Sequence, residues 1–234
     1  MITTGQPSFS ATKTEIVDLE DGATCSDLAD FPVEIEPRSV GANLDGTPVV
    51  CGGYFSEYSE KCYRFKNGGW EEFVNMTEKR RGAAGIMYNK KLYVFGGRSS
   101  SSSILQTSES INVDGSVSNG PDLPTGVFAH AMASINYTVS LLSGGFTSTN
   151  SYSAQTWYYN HDTEVFTPGP DLLEGRRDHG SATIVDKVTK ANIVVVTGGS
   201  TELLINGQWE IGTIQCKIFW FALVLYLSLG ICQT

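Results

Sequence analysis

Short apolar runs alternate with polar stretches along this chain, and four of the apolar runs end directly at a pair of glycines. The pairs are Gly52–Gly53, Gly96–Gly97, Gly144–Gly145 and Gly198–Gly199. Their first glycines lie 44, 48 and 54 residues apart. A recurring spacing of this length is typical of repeat architectures, in which each unit buries its apolar face only against its neighbours. Glycine suits these strand ends because it takes a positive φ freely and lets another backbone approach closely. The pattern therefore predicts four repeated β-units in which the glycine pairs have a structural role.

A β-hairpin is predicted before each glycine pair. The two strands before Gly52 are separated by Asp45–Gly46, a dipeptide that favours the type I′ turn of a two-residue hairpin. Residues 89–91 and Asn136 take the same place in the second and third units, and residues 186–191 form a longer turn in the fourth. The first strand of each hairpin is rich in small residues, which suits a crowded position near a central axis.

A polar loop and two further strands are predicted after each glycine pair. Tyr63 and Trp70 are separated by six residues in the first unit, and Tyr159 and Phe166 repeat this spacing in the third. The second unit lacks these aromatic residues, and the fourth contracts the spacing over residues 203–209. Aromatic and β-branched residues on the buried faces of four antiparallel strands are typical of a propeller blade.

The glycine pair at the end of the second strand, followed by Tyr63 and Trp70 across the third and fourth strands, resembles the kelch repeat of β-propeller proteins. The resemblance covers about residues 38–211, with weaker similarity from Thr14. It implies an all-β, kelch-type β-propeller with four recognisable blades and an N-terminal half blade. The blades are expected at about residues 38–74, 81–120, 127–168 and 177–211.

The two ends of the chain do not complete this propeller. Residues 14–32 match only the downstream half of a unit, and kelch propellers commonly close by pairing strands from both ends of the chain. A C-terminal hairpin is not apparent, and residues 218–232 form a run without a charge. We therefore expect a disordered or leader segment at 1–13, an incomplete kelch-repeat propeller at 14–212 and a hydrophobic tail at 213–234. The charge-free run is too short to span a bilayer as a helix. It is expected to cap the open edge as a buried strand or helix, with membrane attachment as the alternative.

Charge, cysteines and sequons bear on partners and compartment. The formal charge of −9 argues against a nucleic-acid partner, because phosphate binding needs a basic field. Cys51 and Cys62 are predicted to face each other across one hairpin and to form a disulfide, with two buried thiols as the alternative; the partner of Cys25 stays open. Asn75 and Asn136 begin glycosylation sequons in predicted loops. These features favour an extracellular or secreted glycoprotein over a cytoplasmic protein, although the N-terminus carries no basic-then-apolar leader.

The sequence shows no pattern for catalysis, a cofactor or a metal. His130 and His179 occupy similar places near the starts of first strands, but a metal site needs three or four converging ligands. Asp178 and His179 beside Ser181 do not predict a catalytic triad, because adjacent residues on a strand point to opposite faces. We therefore expect a non-catalytic protein without metal or cofactor. Two alternatives follow from the resemblance: a copper-oxidase-like propeller enzyme, and the substrate-receptor part of a ubiquitin ligase within a longer chain.

Arginines recur where the first strands begin. Arg38, Arg81 and Arg177 take this place in three of the four units. Kelch propellers that bind peptides present arginines near the mouth of the central channel, and a planar guanidinium suits bidentate recognition of carboxylates. The resemblance therefore implies that Arg38, Arg81 and Arg177, with His130 and His179, bind a protein or peptide partner at the loop face. The alternative is that each arginine only ties neighbouring blades together.

Overall fold

The computed structural model describes residues 2–3, 12–16, 26–34, 38–149, 151–205 and 208–213. Regular structure in these ranges consists of β-strands in several antiparallel sheets. No helix long and apolar enough to cross a membrane is found among these residues. The all-β prediction is therefore confirmed for the part of the chain that is described. The predicted tail at 218–232 and Cys25 lie outside the described residues.

The N-terminal sheet has three short strands, β1 (Ile2–Thr3), β2 (Thr14–Ile16) and β3 (Ser26–Asp27). The chain then places the ring of Phe31 against those of Tyr63 and Trp70, with centroids 5.0 and 4.9 Å away. The indole Nε1 of Trp70 donates a hydrogen bond of 3.0 Å to Oγ1 of Thr14. These contacts hold the N-terminal segment against the outer strands of the sheet that follows.

Three four-stranded antiparallel sheets come next, and we refer to residues 38–75, 80–120, 126–169 and 176–213 as the first to fourth units. The first unit has β4 (Val40–Leu44), β5 (Thr47–Cys51), β6 (Lys61–Lys66) and β7 (Gly69–Asn75). The second has β8 (Ala84–Tyr88), β9 (Lys91–Phe95), β10 (Ser108–Asn112) and β11 (Val117–Asn119). The third has β12 (Val127–Phe128), β13 (Ala131–Ser134), β14 (Val139–Ser143), β15 (Phe146–Thr147), β16 (Thr156–Asn160) and β17 (Val165–Pro168). In the third unit β13, β14, β16 and β17 form the four-stranded sheet, while β12 and β15 pair separately.

The predicted hairpin turns are present between the first two strands of these units. Asp45 and Gly46 have φ values of 51° and 85°, and Asn89 and Lys90 have values of 46° and 61°. Positive φ at both central residues is the type I′ geometry, whose twist matches that of the flanking strands.

A disulfide links the second and third strands of the first unit. Cys51 on β5 lies directly opposite Cys62 on β6, and the two form a disulfide with their Cα atoms 4.0 Å apart. Both residues are fully buried. The predicted disulfide is therefore confirmed.

The fourth unit departs from the predicted four-stranded sheet. Its strands are β18 (Arg176–Arg177), β19 (Gly180–Val185), β20 (Asn192–Thr197), β21 (Ser200–Ile205) and β22 (Gln208–Thr213). β19 and β20 pair only with each other, whereas β21 lies between β18 and β22. The prediction that residues 203–209 complete the sheet of β19 and β20 is therefore wrong.

The physical reason is the length of the connection after the glycine pair. Residues 54–60, 98–107 and 146–155 separate the glycine pair from the third strand of the sheet in the first three units. In the fourth unit β21 begins at Ser200, directly after Gly199. The chain has no loop in which to turn back along β20, so it continues away and pairs with the residues that open the unit.

The four first strands, β4, β8, β13 and β19, lie side by side in chain order. The cores between successive units are apolar, with Leu92, Val94 and Ile111 buried between the first and second units. The first strands approach each other closely at Gly85 of β8, where a Cβ would lie 2.2 Å from Cγ1 of Val40, whereas no described atom lies within 4 Å of a Cβ on Gly41 or Gly180. Ile184 on β19 is also open to solvent, with an exposed fraction of 45%.

Candidate functional site

The glycine pairs lie at the joints between units. The second glycine of each of the first three pairs donates a backbone hydrogen bond to a residue that opens the next unit. These bonds run from Gly53 to Arg80 O at 2.8 Å, from Gly97 to Val127 O at 2.8 Å and from Gly145 to Arg176 O at 2.7 Å. All eight paired glycines have positive φ. A Cβ on Gly52, Gly96 or Gly144 would lie 2.3, 2.5 or 2.6 Å from the same carbonyl oxygens. No other residue fits these positions without moving the joint.

A second line of backbone hydrogen bonds joins one residue from each unit. The N–H of Gly82 donates to the carbonyl of Arg38 at 2.7 Å, and that of Ala129 donates to Gly82 at 2.7 Å. The N–H of Asp178 donates to Ala129 at 2.8 Å. All four residues have positive φ, between 56° and 88°. The residues that open the four units are thus fixed next to one another, and their side chains share one end of the molecule.

Arg38 and Asp178 meet across this line of residues. Nε of Arg38 donates to Oδ1 of Asp178 at 2.8 Å, and Nη2 donates to Oδ2 at 2.7 Å. This two-bond fork is the geometry in which arginine recognises a carboxylate best. The pair joins the first unit to the fourth, and its side chains remain 33% and 27% exposed.

Aromatic rings support the other arginines at this end. The guanidinium carbon of Arg177 lies 4.9 Å from the centroid of Tyr152 and 5.3 Å from that of Phe146. Arg98 lies 4.7 Å from the ring of Phe128. Cation–π contacts of this kind hold a guanidinium in place through its flat face. Arg98 is fixed further by its own loop, because its Nε donates a hydrogen bond of 2.9 Å to Ser100 O and its Nη2 donates to Ser101 O.

Arg81 belongs to the same surface. Its backbone exchanges hydrogen bonds of 3.0 and 2.9 Å with that of Arg98, and its guanidinium carbon lies 5.2 Å from the ring of Tyr54. Arg177 also approaches Phe128, at 5.9 Å. We call this surface the arginine face. Its members are Arg38, Arg81, Arg98, Arg177 and Asp178, with the rings of Tyr54, Phe128, Phe146 and Tyr152.

The arginine face is positively charged on an acidic chain. It brings four guanidinium groups together with a single carboxylate, that of Asp178, whereas the whole chain has a formal charge of −9. Arginine keeps its charge at any pH that the folded protein meets. The Nε atom of Arg177 lies 3.6 Å from Oδ2 of Asp178, so one carboxylate lies close to two guanidinium groups. The arrangement can attract and orient a ligand that carries carboxylates.

The arginines one residue earlier have the tying role that the alternative predicts. The side chain of Arg80 is completely buried, and it donates hydrogen bonds to Gly96 O at 2.8 Å, Thr107 O at 2.9 Å and Glu109 Oε1 at 2.9 Å. Arg176 makes the equivalent bond to Gly198 O at 3.2 Å. Neighbouring arginines in the sequence thus differ in role: one is buried in the joint, and the next lies on the arginine face.

The structure corrects the prediction that His130 and His179 contact a partner. They are only 7% and 8% exposed and lie inside the joints, so a ligand on the surface does not reach them. Burial, with His179 nearby, lowers the pKa of His130 to about 3. Burial likewise lowers the pKa of His179 to about 4, and its Nε2 shares a hydrogen bond of 3.1 Å with Oγ of Ser143. Both histidines are therefore neutral at pH 7.

The opposite end of the units carries the sequon at Asn136. Asn136 is exposed in the turn between β13 and β14, and its Oδ1 accepts the backbone N–H of Thr138 and of Val139. An open groove of about 450 Å³ lies beside it, lined by residues that include Tyr88 and Tyr137. The other sequon residue, Asn75, is exposed at the end of β7. Within the described ranges, no three side chains of the metal-binding types come together to hold an ion.

Sequence reasoning missed part of the arginine face. Arg98, Asp178 and the four rings are not among the individual residues predicted to bind a partner. Recognition is expected, however, in the polar loops at 54–61, 98–106 and 146–155, which contain Tyr54, Arg98, Phe146 and Tyr152. One signal was available: Phe128 occupies in the third unit the place of Arg81 and Arg177, so it marks the same surface. Which side chains of these loops turn toward the arginines could not be read from their polar composition.

Comparison with known proteins bears on the fold. No protein-family model matches the chain, and no curated protein matches it in sequence. A solved structure described as the structure of YjhT is similar, with a TM-score of 0.69 and 13% sequence identity. The match covers 85% of this chain and 75% of that chain. YjhT is a β-propeller. At this identity the likeness concerns the fold alone, and it supports an all-β, propeller-like architecture.

Proposed function

We propose that this chain is a kelch-type β-propeller that binds an acidic segment of another protein or peptide at the arginine face, without catalysis. The observation that carries this proposal is the convergence of Arg38, Arg81, Arg98 and Arg177 at one end of the four units. Residues far apart in sequence meet there, and backbone hydrogen bonds fix their positions. Binding residues are commonly found on loops that a rigid scaffold holds in this way.

The chemistry of the face favours a carboxylate ligand. Arg38 already holds the carboxylate of Asp178 through two parallel hydrogen bonds, so this guanidinium has a geometry that suits the group. The rings behind Arg98 and Arg177 reduce the freedom that these side chains would lose on binding. A positive patch on an acidic protein also steers acidic partners toward the face.

The disulfide and the sequons support a compartment for this function. The disulfide between Cys51 and Cys62 is stable in an oxidising environment. Asn75 and Asn136 are exposed, as an acceptor of a glycan has to be. We therefore propose a secreted glycoprotein, which glycosidase treatment of protein from eukaryotic cells and non-reducing peptide mapping would test.

Removing two arginines of the face tests the proposed binding. We expect Arg81→Ala with Arg177→Ala to weaken binding of a labelled, C-terminally amidated hexaglutamate peptide about a hundredfold or more. The reason is that each hydrogen bond to a charged group is worth about 1.5–3 kcal/mol, and every 1.4 kcal/mol is roughly tenfold in affinity. Fluorescence anisotropy at fixed ionic strength measures the dissociation constants.

A matched variant removes the same charge from another surface. Arg64 and Lys66 lie on β6 of the first unit, and Arg64 pairs with Glu71 there. Arg64→Ala with Lys66→Ala should change peptide binding less than threefold. The proposal fails if the two double variants bind the peptide equally well while only the first loses thermal stability. In that case the arginines of the face tie the units together and do nothing more.

A further inference from the structure

In the free protein, the carboxylate of Asp178 accepts the hydrogen bonds that Arg38 of the arginine face could otherwise donate to a ligand. Both oxygens accept hydrogen bonds from Arg38, and Oδ2 lies 3.6 Å from Nε of Arg177. Asp178 is held by its backbone, because its N–H donates to Ala129 O at 2.8 Å. A carboxylate is therefore fixed in front of two of the four arginines.

We infer that Asp178 is an internal competitor, whose carboxylate holds Arg38 until a carboxylate of the ligand takes its place. This inference rests on the proposed function, and it names the group that sets the affinity and the selectivity of the face. A ligand without a carboxylate cannot replace Asp178, because it has no group that binds Arg38 as well as the Asp178 carboxylate does. The arginine face then selects acidic ligands, because only a ligand carboxylate displaces Asp178 from Arg38, whereas a neutral segment leaves that ion pair intact.

The exposure of this ion pair makes exchange feasible. Partly exposed ion pairs contribute little to stability, because water solvates both groups when they separate. The side chains of Arg38 and Asp178 are 33% and 27% exposed. Arg80 and Glu109 form the contrasting case: their side chains are 0% and 1% exposed, so separation would leave buried charges without water. One pair is a permanent tie, and the other can open.

The substitution Asp178→Asn removes the competitor with little change in shape. The amide keeps the size of the carboxylate, and asparagine tolerates the φ of 56° at this position better than most residues do. We expect Asp178→Asn to bind amidated hexaglutamate at least tenfold more tightly than the unmodified protein. Asp122→Asn is the matched control, since Asp122 is an exposed carboxylate in the link after the second unit. That control should change the affinity less than twofold.

The partner variant Arg38→Gln separates competition from a structural role. It breaks the same pair but removes a ligand-binding guanidinium, so it should weaken peptide binding about tenfold. A purely structural pair would make both variants weaker, in step with their loss of thermal stability. Opposite signs for Asp178→Asn and Arg38→Gln support competition. Equal signs overturn it, even if one variant is less stable.

A second peptide distinguishes the two sources of a carboxylate. Hexaglutamine with a free C-terminus carries one terminal carboxylate, whereas amidated hexaglutamate carries only side-chain carboxylates. The peptide whose binding tightens in Asp178→Asn identifies the source. If the unmodified protein binds hexaglutamate and Asp178→Asn binds it no more tightly than Asp122→Asn, the competitor is disproved and the proposed function stands. If neither the unmodified protein nor Asp178→Asn binds either peptide, both proposals fail.

Discussion

The joint between the second and third units places His130 beside Gly96, and the joint between the third and fourth places His179 beside Gly144. A Cβ on Gly96 would lie 3.1 Å from Cε1 of His130, and one on Gly144 would lie 2.7 Å from Cε1 of His179. The next glycine of each pair donates to the carbonyl of the following unit at 2.8 and 2.7 Å. The two joints therefore repeat the same backbone arrangement.

The side chain that precedes each glycine pair makes the two joints different. Ser143 precedes Gly144 and shares a hydrogen bond with His179. Phe95 takes the same place before Gly96 and has no polar side-chain atom, and neither ring nitrogen of His130 has a hydrogen-bond partner in the described structure. The glycine pairs therefore determine the backbone arrangement of a joint, whereas the residue before each pair can be polar or apolar without changing that arrangement.

Adding a Cβ to the glycine of either joint should have the largest effect. We expect Gly96→Ala and Gly144→Ala each to lower the free energy of unfolding by roughly 2–5 kcal/mol. The new Cβ would lie 2.5 or 2.6 Å from a backbone carbonyl oxygen. Forcing the backbone apart costs about 1–3 kcal/mol, and a left-handed conformation costs alanine about 1–2 kcal/mol more. Urea unfolding followed by tryptophan fluorescence measures the loss.

Gly198→Ala is the matched control for this prediction. Gly198 has a φ of 73°, but no atom of the described structure lies within 4 Å of a Cβ placed on it. Only the left-handed conformation is then penalised, so the loss should be about 1–2 kcal/mol. Equal losses in all three variants would show that the close approach to the next unit is unimportant.

Acid should destabilise both joints. The pKa of His130 is lowered to about 3 and that of His179 to about 4, from 6.5 in the unfolded chain. The unfolded state therefore binds more protons below pH 6.5, and stability that is fully present above pH 6.5 is lost as the pH falls toward 4. Between pH 7 and 5 we expect a loss of about 2 kcal/mol for each histidine.

Burial also lowers the pKa of His161 to about 4, so this histidine adds a comparable loss over the same pH range. Urea unfolding at the two pH values measures the sum of the three contributions, and His130→Leu isolates the share of one histidine. The pKa values of Asp114 and Asp186 are lowered by hydrogen bonds, so these carboxylates lose their contribution only in stronger acid and do not interfere above pH 5. If His130→Leu has the same pH dependence as the unmodified protein, His130 is not buried in its neutral form.

The architecture could be predicted to the extent that it depends on local signals. The turn at Asp45–Gly46, the glycine pairs and the spacing of Tyr63 and Trp70 each specify a structure within a few residues, and the first three units have four-stranded sheets. The pairing of β21 depends instead on whether a loop lets the chain turn back. That is a matter of chain length after Gly199, which an aromatic spacing does not reveal.

The candidate site could be predicted only in part, because side-chain direction decides it. Arg80 and Arg81 are adjacent, and neighbours in an extended segment point to opposite sides. Their sequence does not show which one turns into the joint beside Glu109. The role of Asp178 has no local signal, because its contact with Arg38 spans 140 residues.

Replacing each histidine by leucine gives the smallest effects and tests the comparison most directly. We expect His130→Leu to leave the melting temperature at pH 7 unchanged or higher, because it removes two buried nitrogens that lack a protein partner. His179→Leu should lower the free energy of unfolding by about 1–3 kcal/mol, because it leaves Oγ of Ser143 buried without its partner. Ser143→Ala in the His179→Leu background should recover most of that loss, since no polar atom is then left unpaired. Differential scanning calorimetry at pH 7 measures all three variants. Equal losses for His130→Leu and His179→Leu would show that the two joints do not differ in this way. His130 would then stabilise its joint as much as the hydrogen bond to Ser143 stabilises that of His179.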